Sequence, residues 1–101
     1  MQTNDQDKTE SRRGIRRARV SQPVRVRPKN AELPEETCWT VNVSRNGVKF
    51  VTLSDHYLPG MELFVTRNFQ PNDPANFEET GSVLRADKLK DGRWSVAIQI
   101  V

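Results

Sequence analysis

Five arginines and no lysine fall between positions 11 and 20, in the run Arg12-Arg13-Gly14-Ile15-Arg16-Arg17-Ala18-Arg19. A guanidinium is a planar fork of donors that can pair bidentately with a phosphate or with the O6/N7 edge of guanine. The preference for arginine is informative. Attraction between point charges would not distinguish it from lysine, whereas stacking on a base or bidentate pairing does. Further along comes Asn42-Val43-Ser44-Arg45-Asn46-Gly47. It supplies a carboxamide, a hydroxyl and a glycine beside which a ligand can approach the backbone closely. A solvated basic arm and an ordinary hairpin would explain the arginines and Gly47 separately, with Asn46-Gly47 supplying the positive-φ turn positions. Neither gives a reason for Asn42 and Ser44. Together the two segments are equipment for gripping an anionic purine ligand.

The elements that must hold these residues have a period of two. Val24 and Val26 alternate with Arg25 and Arg27, and Trp39, Val41 and Val43 alternate with Cys38, Thr40 and Asn42. Val48 and Phe50 follow the Asn46-Gly47 turn; Met61, Leu63 and Val65 follow Pro59-Gly60. Ser82 to Ala86 makes a further short strand, Asp91-Gly92 a second hairpin turn, and Trp94, Val96, Ile98 and Ile100 the last strand. Such a pattern, with no helical stretch, predicts an all-β fold of six strands, a small antiparallel barrel or sandwich. Trp39 and Trp94 fall on the apolar phase of their strands and are expected in the core, not as a base-stacking platform. Asn68 to Thr80 reads as a long polar loop, either functional or a tolerated insertion.

At 101 residues the chain holds one core and a tail. Three segments are expected: a disordered tail over 1–11, an arginine-rich ligand-binding arm over 12–22, and the barrel over 23–101. The net charge of +3 conceals an asymmetry: residues 1–30 carry nine Lys/Arg against three Asp/Glu, and residues 31–101 seven against ten. A duplex-DNA binder would spread its cations over a folded face, so no specific nucleic-acid partner is expected. Cys38 is the only cysteine, and no apolar run has signal-peptide or membrane-spanning length, so a cytoplasmic protein is expected. One histidine, His56, and one cysteine, with no paired metal-ligand spacing, argue against an enzyme, a metal site or a cofactor. His56 reads as an exposed loop residue and Cys38 as structural.

An Arg-x-x-x-Arg spacing ahead of the first strand, joined to an Asn-x-Ser-x-x-Gly turn between the next two, resembles a PilZ domain, a bacterial receptor module for cyclic di-GMP. The resemblance covers about residues 12–101. It takes in Val24-Arg25-Val26, Val41 to Val48, Pro59-Gly60, Gly81-Ser82-Val83 and Trp94 to Ile98. It implies a six-stranded antiparallel split barrel, on which Arg12 and Arg16, or Arg13 and Arg17, clamp guanine bases and phosphates of the ligand. It further implies that Asn42 and Ser44 make polar contacts to the ligand and that Gly47 keeps that face of the barrel open. The first motif position is Asn where the family often has Asp, and the chain stops at Val101 without the helix that many members carry after the barrel.

Ordering the arm opposes binding by about 1–2 kcal/mol per fixed residue. The expectation is therefore a cyclic di-GMP receptor of moderate affinity whose arm orders over the barrel and signals to a downstream protein. Two other readings stay open. One is a degenerate PilZ-like adaptor that binds a protein partner without nucleotide; the other is single-stranded nucleic acid bound through the arm.

Overall fold

The computed structural model describes residues 21–101. The expectations for Arg12, Arg13, Arg16 and Arg17, and for the 1–11 tail, lie outside the described residues. Within this span the apolar alternation is realised as β1 (Pro23–Pro28), β2 (Glu36–Ser44), β3 (Gly47–Thr52), β4 (Glu62–Arg67), β5 (Glu78–Lys88) and β6 (Trp94–Ile100). Every pairing is antiparallel, and the order around the sheet is β1-β2-β3-β6-β5-β4. Because β1 pairs with both β2 and β4, the sheet closes into a barrel and leaves no free edge. No helix occurs among the described residues.

Val24, Val26, Phe50, Leu63, Val65, Val96 and Ile98 are sealed in the interior, each contributing about 1.5–3 kcal/mol by leaving water. Met61, Trp94 and Ile100 pack against them at the rim. The lower end of the barrel is closed by the connection from β3 to β4, which cannot be a tight hairpin because these strands are not neighbours. This crossover carries Tyr57 into the core, edge-on to Phe50 with ring centroids 5.6 Å apart. The Tyr57 hydroxyl donates to Glu36 Oε2 at 2.5 Å, and the Thr52 hydroxyl donates to Glu36 Oε1 at 2.8 Å. A carboxylate there accepts from both hydroxyls, while Thr52 Oγ1 itself accepts from Ser54 N at 3.0 Å.

The strand carrying the polar motif departs from the simple alternation. Cys38 and Thr40 point inward, whereas Trp39 is 65% exposed and Val41 42% exposed, the reverse of the expected phase. The register slips between Thr40 and Asn42, where a bulge absorbs one residue. Beyond it, Val43 faces Val48 and the expected phase resumes. Two local bonds favour the inversion. Thr40 Oγ1 accepts from Gln22 N at 3.0 Å, and Thr40 N donates to Gln22 O at 2.9 Å, fastening this stretch to the chain entering β1. Trp39 is thus a surface residue, not a core one.

The turns correct one further expectation. Ser44 pairs with Gly47, so the hairpin loop is Arg45-Asn46 and the glycine opens β3. Neither Asn46 nor Gly47 has a positive φ; among the described glycines Gly60 and Gly92 do, at 89° and 91°. Gly60 completes a turn in which Met61 N donates to Leu58 O at 3.0 Å, with Pro59 at its second position. The long loop ends at Phe77, earlier than expected, since β5 already begins at Glu78. It is tied together by Asn76, whose Nδ2 donates to Gln70 O at 2.7 Å.

Candidate ligand-binding site

Asn42, Ser44 and Gly47 meet in one depression of about 190 Å³ on the outside of the barrel. Two cross-strand rows explain its shape. One row runs from Ser44 through Gly47 to Gln99, the next from Asn42 through Lys49 to Ala97. Side chains of one face stand side by side along such rows. Gly47 and Ala97 are therefore a low floor, with Asn42, Ser44 and Lys49 as a polar rim. Leu84 forms the remaining wall, pushed outward where β5 bulges between Val83 and Arg85 and left 55% exposed.

The β2 bulge places the two motif side chains. With uninterrupted alternation Asn42 would share the inward face with Thr40; the extra residue turns both Asn42 and Ser44 to solvent. Ser44 Oγ makes one long contact, donating to Gly47 O at 3.5 Å, and so retains hydrogen-bonding capacity for a ligand. The glycine is required by space, not by its φ. A Cβ on Gly47 would lie 3.3 Å from Ile98 O and 3.4 Å from Ser44 Oγ, and any larger side chain would stand over the floor.

Arg67, which sequence reasoning passed over, holds the hairpin that bears this motif. Its Nη1 donates to Ser44 O at 2.9 Å and to Arg45 O at 3.1 Å. The guanidinium is itself fixed by Glu79, with Nε to Oε1 at 2.8 Å and Nη2 to Oε2 at 2.9 Å. All these groups lie at the upper end of the barrel, where β4 ends and β5 begins. Arg67 is more than twenty positions from the hairpin carbonyls it holds, and only the folded barrel brings them together.

Beside the depression runs a second, larger hollow of about 610 Å³ along the outside of β2 and β3. Trp39, Val41, Leu53 and Arg93 line it, together with Ser21, the first described residue. Trp39, Val41 and Leu53 are exposed on this face among polar residues, Leu53 to 81%. The remaining candidates are structural. Burial, reinforced by the charge of Glu36, pushes the Cys38 thiol up to about 12. His56 is half-buried, not exposed as expected; its ring lies 4.3 Å from that of Tyr57, and its Nε2 is buried without a hydrogen-bond partner. Among the described residues no group of three or more His, Cys, Asp or Glu could hold a metal ion, and no helix is long and apolar enough to cross a membrane.

The fold of this chain is similar to that of the Bacillus subtilis inhibitor of motility, MotI/DgrA, with a TM-score of 0.63 and 17% sequence identity. The match covers 99% of this chain and 47% of the other, so this chain spans about half the length of that protein. At this identity the likeness is one of fold. No family model and no curated protein matches the sequence.

Proposed function

We propose that the protein is a non-enzymatic cytoplasmic receptor for cyclic di-GMP, in which the arm of residues 12–22 closes over the depression and signals to a downstream protein. The observation that carries this reading is the convergence of Asn42, Ser44 and Gly47 on one outward depression. They were singled out by residue type and by the PilZ resemblance, and a barrel is the fold that resemblance implies.

The direction of the chain adds support. Gln22 lies beside Thr40 in an antiparallel arrangement, so the polypeptide entering β1 comes from the side on which Asn42 and Ser44 lie. Arg16 is six residues before Gln22, which limits its Cα to about 20 Å from that anchor, and Arg12 to about 35 Å. Both limits allow arginines to reach the depression. Size points the same way. A site of about 190 Å³ is smaller than the ~300–1,000 Å³ usual for drug-sized ligands, so the barrel alone cannot enclose a cyclic dinucleotide. A second element must supply the other half, and the arm brings the bidentate donors suited to guanine and phosphate.

Calorimetric titration of cyclic di-GMP into the wild-type chain, with the Arg12→Ala/Arg13→Ala/Arg16→Ala/Arg17→Ala variant as control, tests the proposal. Heat at micromolar ligand that vanishes in the variant supports it, and no heat from wild type at high micromolar ligand rejects it. The exposed apolar face of Trp39, Val41 and Leu53 favours one second reading, an adaptor that binds a protein whether or not nucleotide is present. Capture of a partner with a yield indifferent to cyclic di-GMP would support the adaptor.

A further inference from the structure

The described cations divide into two sets. Arg25, Arg27, Lys29, Arg67, Arg85 and Arg93 each lie within 4.0 Å of a carboxylate oxygen. Arg45, Lys49, Lys88 and Lys90 have no carboxylate at that distance among the described residues. Lys88 and Lys90 lie at the β5–β6 hairpin, at the opposite end of the barrel from Ser44, and Arg45 is at the β2–β3 turn. Lys49 alone of these four lines the depression.

Its neighbours leave it that way. Across the sheet Lys49 pairs with Asn42 on one side and Ala97 on the other, a neutral amide and a methyl group. The position directly ahead of it on the same face of β3 is Gly47. No side chain there offers a negative charge, and the floor beneath the lysine is low. An ammonium held beside a carboxamide and a hydroxyl, over a floor that excludes no ligand, is complementary to a phosphodiester: charge from Lys49, hydrogen bonds from Asn42 Nδ2 and Ser44 Oγ.

We propose that Lys49 binds a phosphate of the cyclic dinucleotide in the depression it shares with Asn42 and Ser44. This deepens the receptor reading and rests on it. Lys49 makes no ion pair among the described residues, so replacing it should leave the barrel intact.

The test is a titration of cyclic di-GMP into four full-length chains: wild type, Lys49→Gln, Lys49→Arg and Arg25→Gln. Circular dichroism melts confirm folding, and ³¹P NMR of the bound ligand gives a second readout. The expected result is about tenfold weaker binding for Lys49→Gln, within threefold of wild type for Lys49→Arg, and no change for Arg25→Gln. One phosphorus resonance of the bound ligand should shift between wild type and Lys49→Gln. Wild-type binding with Lys49→Gln within twofold and an unchanged ³¹P spectrum overturns the lysine assignment and leaves the receptor reading standing. No binding by wild type overturns both.

Discussion

Two outer faces of this barrel carry cations, and they use them in opposite ways. On the face made by β1 and β4, Arg25, Arg27 and Lys29 lie against aromatic rings. Arg27 sits 4.4 Å from the centroid of Phe64, and Arg25 5.3 Å from that of Phe69. Each is also matched by a carboxylate: Arg25 by Glu35 at 2.9 Å, Arg27 by Glu78 at 2.8 Å and Lys29 by Glu62 at 3.5 Å. That face is richer in positive residues, yet its charge is spent internally. On the face made by β2, β3 and β6, Lys49 stands beside Asn42, Ser44 and two small residues, with no acidic neighbour across the strands. The difference teaches that an anion site is marked by the absence of carboxylates around a cation more than by the number of cations.

Substitutions that exchange the character of the two faces would break or sharpen this contrast. The largest effect is expected from Gly47→Val, which raises the floor of the depression against Ile98 O and the Ser44 hydroxyl. Titration should show cyclic di-GMP binding reduced beyond detection, while the melting curve keeps its cooperative shape. Binding close to wild type in a folded Gly47→Val chain would move the site elsewhere. Next comes Ala97→Glu, which places a carboxylate directly across from Lys49 and makes the open face resemble the paired one. Affinity should fall by more than tenfold and recover partly at high salt, where repulsion of the ligand is screened.

A stability effect should follow from the closed end of the barrel. Burial alone would raise the pKa of Glu36, yet hydrogen bonds from Tyr57, Thr52, Cys38 and Ser54 outweigh it and hold the carboxyl below the ordinary value of 4.5. A carboxyl whose folded pKa is depressed contributes stability above its unfolded pKa and loses it as pH falls through the folded one. Glu36→Gln should therefore cost about 1–3 kcal/mol near neutral pH, because an amide nitrogen replaces one accepting oxygen. The gap from wild type should close as pH falls below the ordinary glutamate range. Denaturant melts between neutral pH and the acid range check this, and a gap independent of pH would show that the carboxylate is not the source. The smallest effect belongs to Arg27→Gln on the paired face. Its exposed ion pair contributes little, so the melt should shift only slightly and cyclic di-GMP affinity should stay within about twofold.

The candidate site was legible in the sequence as residue types and illegible as a surface. Asn42, Ser44 and Gly47 could be named from their residue types together with the PilZ resemblance, since the Asn-x-Ser-x-x-Gly spacing alone is a weak signal. Arg67 and Lys49 carried no such signal: an arginine closing one strand and a lysine inside another are commonplace until the neighbours are known. The misreading of Trp39 has the same origin. A bulge costs one residue of phase, and strict alternation through Cys38 to Asn42 cannot reveal it, since the inward Thr40 is satisfied by Gln22 eighteen positions away.

Local chemistry by itself therefore determined the strands, most of the turns and the all-β class, since alternation in Val24–Val26, Val48–Phe50 and Trp94–Ile100 needs no distant partner to be read. Only the tertiary structure decided which cations remain free, which side of β2 faces solvent, and that Gly47 and Ala97 from different strands form one floor. Those properties depend on strand register and barrel closure. Register is set by contacts between residues far apart in the chain, and no local pattern encodes them.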